Sequence, residues 1–267
     1  MTRPLRRGIP LRTLAPNAVT ALALCFGLTG VRFAIAAQWE KAVICIIIAG
    51  VLDGLDGRIA RLLKGQSRFG AELDSLSDAI AFGVSPAIII YLWSLQQVPQ
   101  YGWIVALAHA VSCALRLARF NAAIDSEDQP HKSAGFLTGI PAPVGAGLML
   151  LPLYLWIWIG LPIFRESWLV APWTIFVALL MISNIATFSW SSLRLRRGIR
   201  LWLLLAIGLA GAALINEPWI ALSAISGLYL LTLPFGMRAY AKVRQQRAAR
   251  AAAPTCGARA RDRSCPA

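Results

Sequence analysis

Apolar residues arrive in long blocks along this chain, separated by short stretches that hold most of the charge. The blocks run over 17–37, 41–62, 72–95, 101–120, 141–160, 170–187, 200–215 and 218–236. Each is close to the ~20 residues a helix needs to cross ~30 Å of hydrocarbon. In lipid every backbone polar group has to be satisfied internally, which helices of this length achieve and isolated strands do not. The pattern predicts an all-α, polytopic transmembrane bundle of about eight spans.

Composition changes this picture little. Of the 267 residues, 58% are hydrophobic and the mean hydropathy is +0.63, beyond the roughly half-apolar make-up of soluble domains. Charge adds orientation. The net charge of +14 would suit a nucleic-acid partner if it lay on a soluble module, but the basic residues flank apolar blocks, so nucleic acid is excluded as a partner. With the N terminus in the cytoplasm and eight crossings, the basic loops at 61–68, 116–132 and 194–200 and the tail from Arg238 fall on one side. Only Arg32, Lys41 and Arg165 of the 26 Lys and Arg fall toward the other. This obeys the positive-inside rule and predicts that both termini are cytoplasmic. Residues 1–38 resemble a signal peptide, but their apolar run approaches full span length and is interrupted by Arg32, so they are read as the first span. The chain divides into a basic juxtamembrane arm (1–16), one membrane domain (17–236) and a basic tail (237–267) expected to be disordered. Cys25, Cys45, Cys113, Cys256 and Cys265 are odd in number and scattered, which suggests neither a disulfide framework nor a zinc site.

One block breaks its own rule. After the apolar run Ala42–Leu52 comes VLDGLDGRIARL, Val51 to Leu62. Charged groups inside spans are costly and usually functional. On a helix, Asp53, Asp56, Gly57, Ala60 and Arg61 share an arc of roughly 140°. The next block opens with AELDSLSDAIAFGVSP, where Asp74 and Asp78 are four apart and share a face with Ser77, Ala81 and Ser85, while Glu72 points away. The loop Leu62–Phe69 lets the two helices run antiparallel, so four carboxylates can converge at the cytoplasmic side. Four such groups cannot all stay ionised without cations. Hard oxygen ligands select Mg²⁺, Mn²⁺ or Ca²⁺, and four acids suit a two-metal site for phosphoryl displacement. Arg61, Lys64, Ser67 and Arg68 could hold further phosphate oxygens. The same acids would also serve a cation or proton pathway in a transporter, and spacing alone leaves both readings open.

Read in full, residues 53–78 are D-x2-D-G-x2-A-R-x8-G-x3-D-x3-D, filled by Asp53, Asp56, Gly57, Ala60, Arg61, Gly70, Asp74 and Asp78. This resembles the signature of the CDP-alcohol phosphotransferase family. LDSLSDAIAFGVSPA, RLARFN (116–121), GIPAPVGAG (139–147) and ATFSW (186–190) resemble its bacterial, membrane-integral phosphatidylserine-forming branch, over about residues 10 to 236. The resemblance implies two divalent cations, Mg²⁺ or Mn²⁺, held by Asp53, Asp56, Asp74 and Asp78, with Asp78 also the base. It implies CDP contacts at Asn17, Thr20, Gly57, Ala60, Arg61, Ser67 and Gly70. It further implies CDP-diacylglycerol as donor, L-serine as acceptor with CMP released, a homodimer, and a bacterial inner membrane with the site facing the cytoplasm. Another acceptor (glycerol 3-phosphate, inositol phosphate or choline) would keep every motif.

Arg116 and Arg119 lie on one arc of the fourth span with His109 and Ser112. Either arginine could hold the diphosphate or the serine carboxylate, or simply snorkel to the interface. His109 is expected to be a hydrogen-bonded interior histidine. Gly139, Pro141, Pro143, Gly145 and Gly147 are expected to shape a tight helix entry and a close helix contact.

Overall fold

The structure, a computed structural model, describes residues 11–63, 65, 67–98, 100–124, 136–183, 186–188 and 197–233. Most of the expected basic arm, Lys64, the 125–135 part of the polar loop and the 237–267 tail lie outside the described residues. The chain runs through α1 (Leu11–Ile35), α2 (Trp39–Leu62), α3 (Arg68–Asp78), a π-helical segment (Ala79–Val84) and α4 (Ser85–Trp93). Then follow α5 (Gly102–Ile124), α6 (Ala142–Met149), α7 (Leu151–Ile159), α8 (Ser167–Ile182) and α9 (Arg197–Asn216), with α10 (Pro218–Leu233) last.

A helical segment occupies each expected block. Among the described residues, three helices can cross a membrane by length and composition, Leu14–Ile35, Arg68–Trp93 and Gly102–Ala122, or four if α6 and α7, bent by 41°, count as one span. α8 and α10 are apolar but shorter, and α2 carries Glu40, Lys41, Asp53, Asp56, Arg58 and Arg61. The apolar surface is not all turned inward. Only 28% of the first span's apolar window is buried, and Leu22, Leu28, Ile104, Leu115 and Leu179 are exposed. A water-soluble bundle would cover such a surface, so the helices mark an integral membrane protein.

One expectation needs correcting. The fold is not all-α throughout: Phe136–Thr138 (β1) and Ala186–Phe188 (β2) pair antiparallel, Leu137 opposite Thr187. The first part of the basic loop expected over 116–132 is helical, because α5 continues to Ile124.

Small residues set the packing. A Cβ on Gly27 would lie 2.9 Å from Ala81, and one on Gly30 would lie 3.1 Å from the Ala42 carbonyl, so α1 seats closely against both α2 and the π segment. Ala37, in the left-handed region at φ 54°, turns the chain between α1 and α2. Gly139 has φ +77°, and a Cβ there would meet the Met181 carbonyl at 2.8 Å. Pro141 caps α6 and Gly145 accepts the Met181 side chain, as the tight entry required.

Two prolines free carbonyls inside spans, and aromatic N–H groups take them up. Pro152 cannot donate to Leu148 O, and the indole of Trp173 does so instead at 2.8 Å. Pro86 cannot donate to Phe82 O, and His109 Nε2 lies 3.2 Å from it. Proline survives in such helices where neighbours satisfy the released carbonyl.

A candidate metal and nucleotide site

The carboxylates gather where α2 ends and α3 begins. One carboxylate oxygen from each of Asp53, Asp56 and Asp74 lies within 4.8 Å of the others. Asp78 is hydrogen-bonded to Asp53 and within electrostatic reach of Asp56 and Asp74. The compact trio thus has three members, and Asp78 joins it through Asp53. Asp56 is 5% exposed and is fixed by Thr20 of α1, whose hydroxyl donates to its Oδ2 at 2.6 Å. Asp74 Oδ1 is buried without a hydrogen-bond partner. Three converging carboxylates, one with an orphaned buried oxygen, fit a hard divalent cation. Glu72 is exposed and stands apart, as its helical phase required.

The segment after Asp78 explains how one helix serves two purposes. A π turn inserts an extra residue, so the helix resumes rotated by about one residue, ~100°. Before it, Asp74 and Asp78 face α2. Beyond it, Ile89, Ile90 and Trp93 are fully buried in the core. Along the α1-facing side, Ser77 Oγ donates to Thr20 O at 3.2 Å, and Ala81 and Ser85 lie against the Gly27 position.

Beside the carboxylates opens a cavity of about 570 Å³. Asn17 and Thr20 line it from α1, Asp56, Gly57, Ala60 and Arg61 from α2, and Ser67, Gly70 and Asp74 from the following turn and α3. All seven residues expected to contact CDP therefore share one wall. Gly57 and Gly70 differ in kind: a Cβ on Gly57 meets nothing within 4 Å, whereas one on Gly70 would lie 2.8 Å from Asn17 Oδ1. Ser67 has a local task besides, since its Oγ accepts from Gly70 N at 3.0 Å and caps α3. Arg61 Nε donates to Gly57 O at 3.0 Å.

A second, apolar cavity of about 320 Å³ lies between α2, α6 and α10. Gly50 and Val51, one turn before Asp53, and Phe82, one turn after Asp78, line it, as does Tyr229. Arg116 lies within electrostatic reach of Asp78 and Tyr229. Arg119 is exposed and donates through Nη1 to Ile182 O at 3.0 Å, capping α8. Two contributors were given no role in advance, although Asn121 closes the RLARFN motif. Asn121 donates to Ser75 Oγ at 2.9 Å and ties α5 to α3, and Tyr229 stands in an apolar block that only the packing relates to Arg116.

Known proteins agree with this geometry. Residues 13–190 match the family profile of CDP-alcohol phosphatidyltransferase, and residues 199–234 match that of CDP-alcohol phosphatidyltransferase 2. The chain is similar to a CDP-diacylglycerol–serine O-phosphatidyltransferase of Mycobacterium tuberculosis, 39% identical over 87% of this chain and 81% of the relative. A protein of the same name from Mycobacterium leprae is 36% identical over 87% of this chain and 77% of the relative. One from Helicobacter pylori is 33% identical over 82% of this chain and 88% of the relative.

Proposed function

Since the chain belongs to the CDP-alcohol phosphatidyltransferase family, we propose that it is a CDP-diacylglycerol–serine O-phosphatidyltransferase, moving a phosphatidyl group from CDP-diacylglycerol to the hydroxyl of L-serine with release of CMP. The observation that carries this reading is a polar cavity lined by two of the clustered carboxylates, with a separate apolar cavity lined by residues about one turn from Asp53 and Asp78 on the same helices. The polar cavity with Asn17, Gly57 and Gly70 on its wall suits a nucleotide, and the apolar one suits an acyl chain that stays among helices. A transporter needs no such pairing.

Asp53, Asp56 and Asp74 would hold divalent cations, Mg²⁺ or Mn²⁺ and two in number, with Asp78 completing the set. When bound, these ions supply the positive charge that offsets the diphosphate and the departing CMP. The chain's own groups do the rest. Asn17, Thr20, Gly57, Ala60, Arg61, Ser67 and Gly70 seat the CDP part. Asp78 accepts the proton of the serine hydroxyl. The serine oxygen bonds to the phosphorus that carries diacylglycerol, and the bond from that phosphorus to the bridging oxygen of CMP breaks. Arg116 is the arginine suited to an acceptor contact, since it faces Asp78.

The same reading carries eight spans with both termini and the site on the cytoplasmic side of a bacterial inner membrane, and a homodimer as the working unit. The test is purified full-length protein with Mn²⁺ or Mg²⁺, CDP-diacylglycerol and a panel of alcohols, scored by CMP release. Serine-dependent release is expected. Release with glycerol 3-phosphate, inositol phosphate or choline but not serine would reassign the acceptor, and flux across vesicles without CMP release would favour transport.

A further inference from the structure

The stretch DSLSD, Asp74 to Asp78, carries two serines between its two acids, and each serine is bonded to a different neighbouring helix. Ser77 is buried, and its Oγ donates to Thr20 O of α1 at 3.2 Å. Ser75 Oγ accepts from Asn121 Nδ2 of α5 at 2.9 Å and gives its own proton to Ala71 O at 3.1 Å. At about 100° per residue, the two serines stand roughly 80° to either side of the mean direction of Asp74 and Asp78. Leu76, on the opposite side, is exposed. The acids therefore project between two flanks, and each flank is tied to a neighbour. Thr20 anchors both acid-bearing helices, since its carbonyl takes Ser77 and its hydroxyl takes Asp56 of α2 at 2.6 Å. The π segment parts α3 from Ile89, Ile90 and Trp93, so burial of that far half leaves the roll of α3 to be set locally.

We infer that Ser77 and Ser75, held by Thr20 and Asn121, are positioning residues: they form a two-sided clamp that fixes the roll of α3 and so the place of Asp74 and Asp78 against Asp53 and Asp56. The inference rests on the proposed metal site and deepens it. The demand is metric. A carboxylate stands ~5 Å from its helix axis, so a roll of about 20° carries it ~2 Å. Metal–ligand distances hold to ~0.2 Å. Bonds behind a ligand keep it in place, and losing them weakens metal binding while every ligand remains. Neither the serines nor Asn121 line the polar cavity, so the clamp acts through the acids and not on the nucleotide.

The experiment measures Mn²⁺ binding by the full chain in detergent, without substrate, from the EPR signal of free Mn²⁺, for wild type, Ser77→Ala and Asn121→Leu. Each substitution should weaken binding by roughly 3- to 10-fold, the scale of one hydrogen bond. Ser77→Thr, which keeps the hydroxyl, should restore most of it. Ser94→Ala is the control: it removes a comparable long-range bond, to Arg165 O at 2.7 Å, beyond the other end of the same span. It should lower the thermal midpoint and leave Mn²⁺ affinity unchanged. A second readout needs no metal. In a chain whose five cysteines are replaced by alanine, a short bifunctional thiol reagent should link Asp53→Cys to Asp74→Cys much faster than to Leu73→Cys, and adding Ser77→Ala should shrink that preference several-fold. Unchanged Mn²⁺ affinity in both Ser77→Ala and Asn121→Leu overturns the clamp, as does an equal loss in Ser94→Ala, which would make the effect a general loosening. A chain that binds no Mn²⁺ but loses its cross-linking preference in Ser77→Ala keeps the clamp and sinks the metal reading. One that binds none and keeps the preference sinks both.

Discussion

At the scale of single residues, two glycines of the polar cavity separate binding from folding. Gly57 faces open space, so Gly57→Ala should leave the thermal midpoint unchanged while its methyl group narrows the cavity and raises KM for CDP-diacylglycerol. Gly70→Ala should do both kinds of harm, since its Cβ would press on Asn17 Oδ1 at 2.8 Å. A Gly57→Ala protein with unaltered kinetics would remove that face from the donor site. Thr20 offers a contrast through its 2.6 Å bond to Asp56. A hydrogen bond to a charged group contributes about 1.5–3 kcal/mol, so Thr20→Val should raise the Mn²⁺ concentration for half-maximal activity by roughly tenfold or more. Metal titrations of the two proteins side by side decide this. Asp78→Asn should abolish turnover while the protein still inserts in the membrane, and normal activity there would deny Asp78 the role of base.

At the scale of elements, the span from Arg68 to Trp93 is the decisive piece. Its π segment lets one half offer acids to α2 while the other half buries Ile89, Ile90 and Trp93, and His109 holds the Phe82 carbonyl that Pro86 leaves free. His109→Leu should therefore cost activity beyond its cost in stability: kcat per folded molecule should drop about tenfold as Asp78 loses its setting, the equivalent of ~1.4 kcal/mol. His109→Gln, which keeps an amide N–H, should recover much of it. Equal kcat in His109→Leu would leave His109 with packing alone. This element also shows how far the sequence could be read. The helical phases of Asp53, Asp56, Asp74 and Asp78 are local arithmetic, and they predicted the cluster. The π turn was not legible, because the apolar run Ala79–Val84 reads like any other stretch of buried helix. The three-residue ladder between Phe136–Thr138 and Ala186–Phe188 was missed for a similar reason: pairing across about fifty residues leaves no periodicity in either strand. Ser67, expected to contact CDP, turned out to cap α3 as well, which its place just before the helix could have signalled.

At the scale of the whole molecule, the two ends of the bundle are chemically unlike, and that asymmetry makes a topological prediction. Lys41 stands over the Phe33 ring and Arg165 over Trp156. Lys41 and Trp156 line a common cavity of about 530 Å³. Arg61, twenty residues along α2 from Lys41, sits at the nucleotide wall, a separation of ~30 Å at 1.5 Å per residue, the thickness of the hydrocarbon core. Basic residues beside aromatic rings at one end and a cluster of acids with a polar cavity at the other suit the two faces of a bilayer. If the acid end is cytoplasmic and eight segments cross, the tail joins it. The tail carries Cys256 and Cys265, while Cys45 and Cys113 are buried and Cys25 lies on the apolar surface of α1, which a bilayer would shield from a charged reagent. A charged, membrane-impermeant maleimide should thus label the two tail cysteines in inverted vesicles and leave intact spheroplasts unlabelled, with Cys256→Ser/Cys265→Ser protein as the blank. Labelling from the outside of intact cells would require an odd number of crossings or an inverted bundle. Of the two, the inverted bundle would take the site away from the compartment in which serine and CDP-linked donors meet.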